Sequence, residues 1–262
     1  MPRVDAALLP LVFDIERGLR ELGVPYAVVG ALVPELLLEA RPLRMTNDAE
    51  ITVVVQSLSE FEELKDQLAR YSFERTHLAY RLRHRRGGIL DVLPYSETLA
   101  PDDRLQLGDD LVFNLAGFRH VVPRAVSATI DDGPTLPLAP LPLYALLKLV
   151  AFSDRGAPKD LGGVLHCLVY YLEDDVRRYE VEWDGAGVPF DYTCAHLLGL
   201  DARPLLDPSI SKAVMAVLDR FRDADAHVVG LAAAESGRRW ADDDRRSYVF
   251  ELFRWYRLGT GL

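Results

Sequence analysis

The chain has 262 residues, of which 49% are hydrophobic and 27% charged, and its net charge is −10. That length carries one large domain or two modest ones with real cores, and the composition is that of an ordinary soluble globular protein. The acidic balance excludes a protein that coats nucleic acid through bulk charge. The longest apolar runs, such as LPLYALLKLVAF, are interrupted by Pro or Lys and fall short of a membrane span.

The N-terminal stretch MPRVDAALLPLVFDIERGL carries Asp and Glu among its apolar residues and reads as an amphipathic helix rather than a signal peptide. Leu8, Leu9, Val12, Phe13, Leu19 and Leu22 keep a helical period over 5–22 that stops at Gly23. YAVVG (26–30) predicts a short buried strand ending on glycine. ALVPELLLEA then predicts a helix with Pro34 tolerated in its first turn. EITVVV (50–55) is a β-branched strand, and Ser57 with Glu60 forms a capping box for a helix reaching about Arg70.

ERTHLAYRLRHRRGGILDVLPY predicts a hairpin turning at Gly87–Gly88, with Pro94 closing its second strand. Short strands follow within 111–138. Beyond LPLAPLP the pattern becomes helical over 142–172, 191–200, 208–223 and 241–258. The expected architecture is therefore α/β, a mixed sheet with helices over 1–138, followed by an all-helical C-terminal domain over 139–262. Cys167 and Cys194 lack metal-ligand spacing and read as buried free thiols of a cytoplasmic protein.

Residues i and i+2 of a strand share a face, so Asp48 and Glu50 project together if 48–55 is one strand. Taken alone, the pair also suits a strand start with solvated acids. Asp91 sits in GILDVLPY among Leu90, Val92 and Leu93, where a carboxylate is costly unless paired or metal-bound. Three converging carboxylates repel unless a cation lies among them. Mg²⁺ suits such a site, because it takes a few carboxylates together with water and phosphate oxygens. Upstream, the strand-to-helix turn at Gly30–Ala31 offers backbone N–H groups to a phosphate.

By period-2 alternation, Arg75, His77, Arg81, Arg83 and Arg85 fall on one face of a strand over 75–85. That face suits a triphosphate or an RNA backbone, and equally a charged solvent face; some of these arginines can also balance the three acids. Lys148, inside YALLKLVAF, either snorkels outward or faces an anion. SDRGAPKD, which holds Asp154, Arg155, Lys159 and Asp160, also fits a helix–turn–helix with salt-bridged ends. The six histidines are scattered without ligand or catalytic spacing.

The ordered set VVGALVPELL…LRMTNDAEITVVV…FEELKDQL…YRLRH…GGILDVLPY resembles the nucleotidyltransferase superfamily, the polymerase-β-like fold. Within it, the chain is similar to the AbiEii/AbiGii-type toxin nucleotidyltransferases through about residues 20–172. The resemblance implies transfer of a nucleoside monophosphate from an NTP to an acceptor hydroxyl on RNA (a tRNA end), a protein or a small molecule. It implies Mg²⁺ or Mn²⁺ as cofactor and admits an antitoxin partner. Asp48, Glu50 and Asp91 would hold metal, and Gly30 and Ala31 would line the triphosphate with Arg81 and Arg83 nearby. Lys148 would contact phosphate, and Asp160 would be an additional acid. Ala31 and Glu50 depart from the Gly-Ser or Gly-Gly turn and the Asp usual in such families. A catalytically inactive nucleotidyltransferase-fold protein that binds nucleotide or a protein partner is the alternative.

Overall fold

The computed structural model describes residues 5–40, 47–108, 111–130, 133–183, 185–236 and 245–262. The chain divides into two compact units, Met1–Leu37 with Arg44–Pro140, and Leu38–Leu43 with Leu141–Leu262. Among the described residues no helix is long and apolar enough to cross a membrane.

The first unit opens with α1 (Leu9–Leu22), which buries Leu11, Val12, Ile15 and Leu19. Phe13, in the apolar stripe by sequence, is instead 48% exposed. The helix ends where Gly23 turns left-handed at φ 67° and donates to the last-turn carbonyls, a conformation glycine adopts without a Cβ penalty. Next come β1 (Tyr26–Val28), α2 (Leu32–Leu37), β2 (Asp48–Val54) and α3 (Leu58–Leu68). Pro34 lies in the first turn of α2, and α2 has only six residues, shorter than its apolar run predicts. The Ser57 hydroxyl accepts from the Glu60 N–H at 3.2 Å. The reciprocal arm of the capping box reaches one residue further back, the Glu60 carboxylate accepting from the Gln56 N–H at 2.7 Å.

The remaining strands are β3 (Phe73–Arg75), β4 (Arg81–His84), β5 (Ile89–Tyr95), β6 (Arg104–Leu107), β7 (Leu111–Asn114), β8 (Val126–Thr129) and β9 (Thr135–Leu138). A seven-stranded mixed sheet runs β3-β4-β5-β2-β1-β9-β8, and β6 and β7 pair separately. β2 and β5 are parallel and in register throughout, from Asp48 opposite Ile89 to Val54 opposite Tyr95. Ala49, Ile51, Val53, Leu90 and Val92 are buried on one face. Asp48, Glu50 and Asp91 lie on the other by alternation.

The structure departs from the sequence pattern at two places in this sheet. The basic run over 75–85 is not one strand but two, β3 and β4, which pair antiparallel. The chain turns between them because the Thr76 hydroxyl accepts from Leu78 N–H and donates to the Arg81 carbonyl, while the buried Lys65 ammonium donates to the Ala79 carbonyl at 2.7 Å. Arg75 and Arg81 therefore do not share a continuous stripe. Pro94 also lies inside β5 rather than at its end. The Val92 N–H donates to the carbonyl of Tyr80, the residue before β4, so proline's missing N–H two residues on faces a side where β4 has run out.

The second unit holds α4 (Leu141–Arg155), α5 (Pro158–Tyr170), α6 (Thr193–Ala202), α7 (Pro208–Leu218), α8 (His227–Glu235) and α9 (Arg245–Thr260). One small hairpin, β10 (Glu182–Trp183) with β11 (Ala186–Gly187), interrupts the helices. α6 is buried on nearly every side, and α9 lies against it with Gly199 facing Gly259. α7 starts on Asp207, whose carboxylate accepts from Ser209 and Ile210 N–H groups at 2.9 Å, and ends at Leu218, short of the expected 223. The sequence pattern does not mark α8. The start expected for the last helix at 241, like the beginning of RMTNDAEITVVV (44–46), lies outside the described residues. Cys167 and Cys194 are buried free thiols.

Candidate metal centre

The acids come together because two strands of different sequence position share one register. Glu50 sits directly opposite Asp91 across the parallel β2–β5 pair, and Asp48 projects on the same face two residues before Glu50. Each of the three offers a carboxylate oxygen, and these oxygens all lie within 4.8 Å of one another. Oxygens on opposite sides of a Mg²⁺ ion with ligands at 2.0–2.1 Å are about 4.2 Å apart. Small rotamer adjustments therefore close this triad around one cation, and the donor set is the hard-oxygen set such an ion takes.

Gly30 explains how Glu50 fits. A Cβ at residue 30 would lie 2.5 Å from the Glu50 carboxylate and 2.6 Å from its Cβ. The Val29 N–H donates to the Glu50 carbonyl at 2.9 Å, which fixes β1 against β2 at this point. The glycine that the sequence placed at a phosphate turn thus also makes room for the second acid of the triad.

Asp91 is 9% exposed. Across the β4–β5 register it faces Arg81, whose Nε and Nη2 donate to its two oxygens at 2.7 Å each. Burial pushes the Asp91 carboxyl up, the Arg81 hydrogen bonds and charge pull it down, and the Glu50 and Asp48 charges add to the rise; the net direction is upward. The same contact holds the Arg81 guanidinium more firmly protonated. A carboxylate has about four lone-pair sites, so the fork of Arg81 leaves Asp91 oxygen capacity for a cation.

The other arginines of the hairpin, and His84, are committed to acids away from the triad. Arg83 and Arg85 bond Glu74 at 2.7 and 3.2 Å. Arg75 bonds Asp66 at 2.7 Å and also pairs with Glu62. His84 is buried and contacts Asp14 at 3.0 Å. Lys148 and Asp160 belong to the second unit. There, Asp160 is 1% exposed and accepts from Arg155 Nη2 at 2.6 Å and Nε at 2.8 Å, with Lys148 Nζ at 3.8 Å. Lys148 also lies over the Tyr144 ring.

The triad face continues beyond Glu50 and Asp91 into a cleft that includes Thr52 and Tyr95. Sequence reasoning missed this, although extending the same two-residue period along β2 and β5 reaches both residues.

No family model matches the sequence, and no curated protein matches it. Among solved structures, the chain is similar to an antigenic nucleotidyltransferase-like protein from Paracoccidioides brasiliensis (14% identity, 84% of this chain and 90% of that one, TM-score 0.44). It is also similar to the antibiotic-resistance factor ANT(2'')-Ia (12% identity, 83% and 95%, TM-score 0.39). A further likeness is to the CdnE cyclic dinucleotide synthase of Elizabethkingia meningoseptica (11% identity, 97% and 91%, TM-score 0.28).

Proposed function

We propose that the protein is a divalent-metal-dependent nucleotidyltransferase, moving a nucleoside monophosphate from an NTP to an acceptor hydroxyl. The observation that carries this is the convergence of Asp48, Glu50 and Asp91, oxygens within 4.8 Å, on one face of a parallel strand pair. An incidental set of acids predicts carboxyls far apart, and these are together. The resemblance of the sequence motifs to the AbiEii/AbiGii-type toxin nucleotidyltransferases supports the same chemistry and brings with it Mg²⁺ or Mn²⁺, a cytoplasmic setting and an antitoxin as further proposals.

Asp48, Glu50 and Asp91 would hold the cation, which when bound supplies positive charge to phosphate oxygens and acidifies the acceptor hydroxyl. Asp91, directly opposite Glu50 on the same face, would also take the proton of that hydroxyl. The acceptor oxygen bonds the α-phosphorus as the bond to the bridging oxygen breaks, and pyrophosphate leaves with the electron pair. Gly30 and Ala31 would flank the phosphates, and Arg81 would hold Asp91 in place while compensating charge. Lys148 is assigned to phosphate, and Asp160 to the helical acid, by resemblance alone; an NTP KM for Lys148→Ala at the wild-type value would remove the first assignment.

The test is incorporation of α-labelled NTP into cellular RNA, protein and small-molecule pools, with Mg²⁺ or with EDTA, for wild type and Asp48→Ala. The expected result is metal-dependent incorporation by the wild type only. Equal inertness with all four NTPs would leave the second reading, a nucleotide-binding protein without turnover. The Arg81–Asp91 fork favours that reading, because it places a permanent cation at the third carboxylate.

A further inference from the structure

The face of the sheet that carries the triad does not end there. A cleft of about 370 Å³ lies further along it, lined by Thr52 and Gln56 at the end of β2, Tyr95 at the end of β5, and Thr98, Phe118 and Arg119 from the segments that follow. This volume lies within the usual range of small-molecule sites. Thr52 follows Glu50 by two residues on the same face. At about 3.3 Å per residue, the near end of the cleft is therefore roughly 7 Å from the triad. Tyr95 follows Asp91 by four residues on the same face, so both walls lead back to the carboxylates.

The chemistry of the walls disfavours an anionic occupant, since the lining includes the exposed carboxylate of Glu97. Arg119 is the cation of the cleft, and its charge is answered by Asp103 at 3.5 Å and by the Tyr95 hydroxyl. Tyr95 and Phe118 supply two aromatic rings with centroids 6.2 Å apart, both largely buried. The Thr52 hydroxyl, on a nearly buried side chain, donates to the Leu93 carbonyl at 3.0 Å. The Gln56 amide adds a donor and an acceptor side by side, the pattern that reads the edge of a heterocycle. A mostly apolar lining edged by two aromatic rings, hydrogen-bonding groups, a balanced cation and a carboxylate suits a base and its ribose better than a phosphate chain. A polynucleotide backbone needs a basic track. Among the residues lining the cleft only Arg119 is basic, so the cleft has no such track.

We infer, resting for its catalytic meaning on the metal-site reading above, that this cleft binds the nucleoside moiety of a mononucleotide. The nucleoside belongs either to the donor NTP or to an acceptor whose ribose hydroxyl is presented to Asp91.

The experiment is isothermal titration of adenosine, guanosine, cytidine and uridine in EDTA, and of the corresponding α,β-methylene triphosphates in Mg²⁺. The proteins are wild type, Asp48→Asn, Thr98→Trp, which fills the mouth from an exposed loop, and Gln56→Leu, with folding verified by thermal melting. At least one nucleoside is expected to bind wild type and Asp48→Asn equally in EDTA, to bind Thr98→Trp at least tenfold more weakly, and to change rank among the four in Gln56→Leu. Competition between that nucleoside and its triphosphate analogue identifies the donor, and simultaneous binding identifies the acceptor; either supports the cleft. Triphosphate binding without any nucleoside binding, or binding indifferent to Thr98→Trp, overturns the inference and leaves the metal site intact. Nucleoside binding in a protein that incorporates no labelled NTP leaves the cleft intact and removes the transferase reading.

Discussion

Arg81 reaches across the β4–β5 register to Asp91 and donates Nε and Nη2 to its two oxygens at 2.7 Å each, so the most buried acid of the triad already has a cation. Exposed ion pairs contribute about 0–1 kcal/mol, whereas breaking a buried one costs about 3–5 kcal/mol. Asp91 is largely buried and Arg81 partly so. Arg81→Ala should therefore cost about 2 kcal/mol in urea denaturation, because Asp91 is left beside Glu50 and Asp48 without its partner. Mg²⁺ should restore more stability to the variant than it adds to wild type. A metal-independent loss would mean that the triad holds no cation.

Gly30 and Glu50 form the second constraint on the triad. The added methyl of Gly30→Ala meets the Glu50 carboxylate at 2.5 Å and its Cβ at 2.6 Å. A rotamer change moves the first of these away but not the second, which is fixed to β2. The strand must shift, at about 1–3 kcal/mol for overpacking. Displaced support of a ligand typically weakens metal binding 10–100-fold. Titration of Mn²⁺ into Gly30→Ala should show that loss, and a melting curve should show the stability cost.

What the sequence disclosed, and what it withheld, follows from the range of the forces involved. β2 is legible because ITVVV is β-branched and its acids fall on alternate positions. That Asp91 converges on the pair is legible from its place in the later strand, but its exact register opposite Glu50 is not, since register between strands 41 residues apart depends on packing of the opposite face. The break between β3 and β4 is hidden for a similar reason. RTHLAYRLR alternates well enough for one strand, and the turn is set by Thr76 hydroxyl bonds and by Lys65 from α3. α8 has Gly230 and a run of alanines in HVVGLAAAE, which weakens the apolar period that marks a helix.

Asp14 and His84, 70 residues apart, form a buried contact that ties α1 to β4. The His84 Nδ1 accepts from the Arg86 N–H, which places the ring proton on Nε2, donated to Asp14. Burial pushes the Asp14 carboxyl up, but hydrogen bonds from His84 and Arg86 and the charges of Arg17 and Arg86 outweigh it, leaving its pKa lowered. A carboxylate with a depressed folded pKa stabilises the fold above its unfolded pKa, and that contribution is lost as pH falls through the folded value. Asp14→Asn should be about 2 kcal/mol less stable at pH 7, as expected for hydrogen bonds to a charged group. The gap to wild type should close as the pH falls below about 4. Urea midpoints measured from pH 7 to pH 3 check both parts, and a gap independent of pH would contradict the assigned partners.

Asp160 joins α4 to α5 through the Arg155 fork, at 2.6 and 2.8 Å, and through Lys148 at 3.8 Å. Its carboxylate is 1% exposed, while Arg155 reaches solvent. Asp160→Ala should cost about 3 kcal/mol, the lower end for breaking a buried pair. Arg155→Ala should cost less, because Lys148 still compensates Asp160 and the lost partner is the solvated one. Equal costs in chemical denaturation would show that Lys148 contributes no compensation.

Gly199 and Gly259 set how closely α6 and α9 approach. A Cβ on Gly199 would meet the Tyr256 carbonyl oxygen, the Thr260 nitrogen at 2.9 Å and the Gly259 Cα at 3.0 Å, all of them backbone atoms that no rotamer can move. Gly199→Ala gains helix propensity of about 1 kcal/mol. Separating two packed helices, which bury Leu197, Leu198, Leu252 and Phe253, outweighs that gain. The net expected change is a loss of about 2 kcal/mol or more, read as a lower thermal midpoint. Gly187→Ala, in the β10–β11 hairpin with open space around it, is the control and should leave the midpoint nearly unchanged. A Gly199→Ala protein as stable as wild type would show that α6 and α9 do not cross at these two glycines.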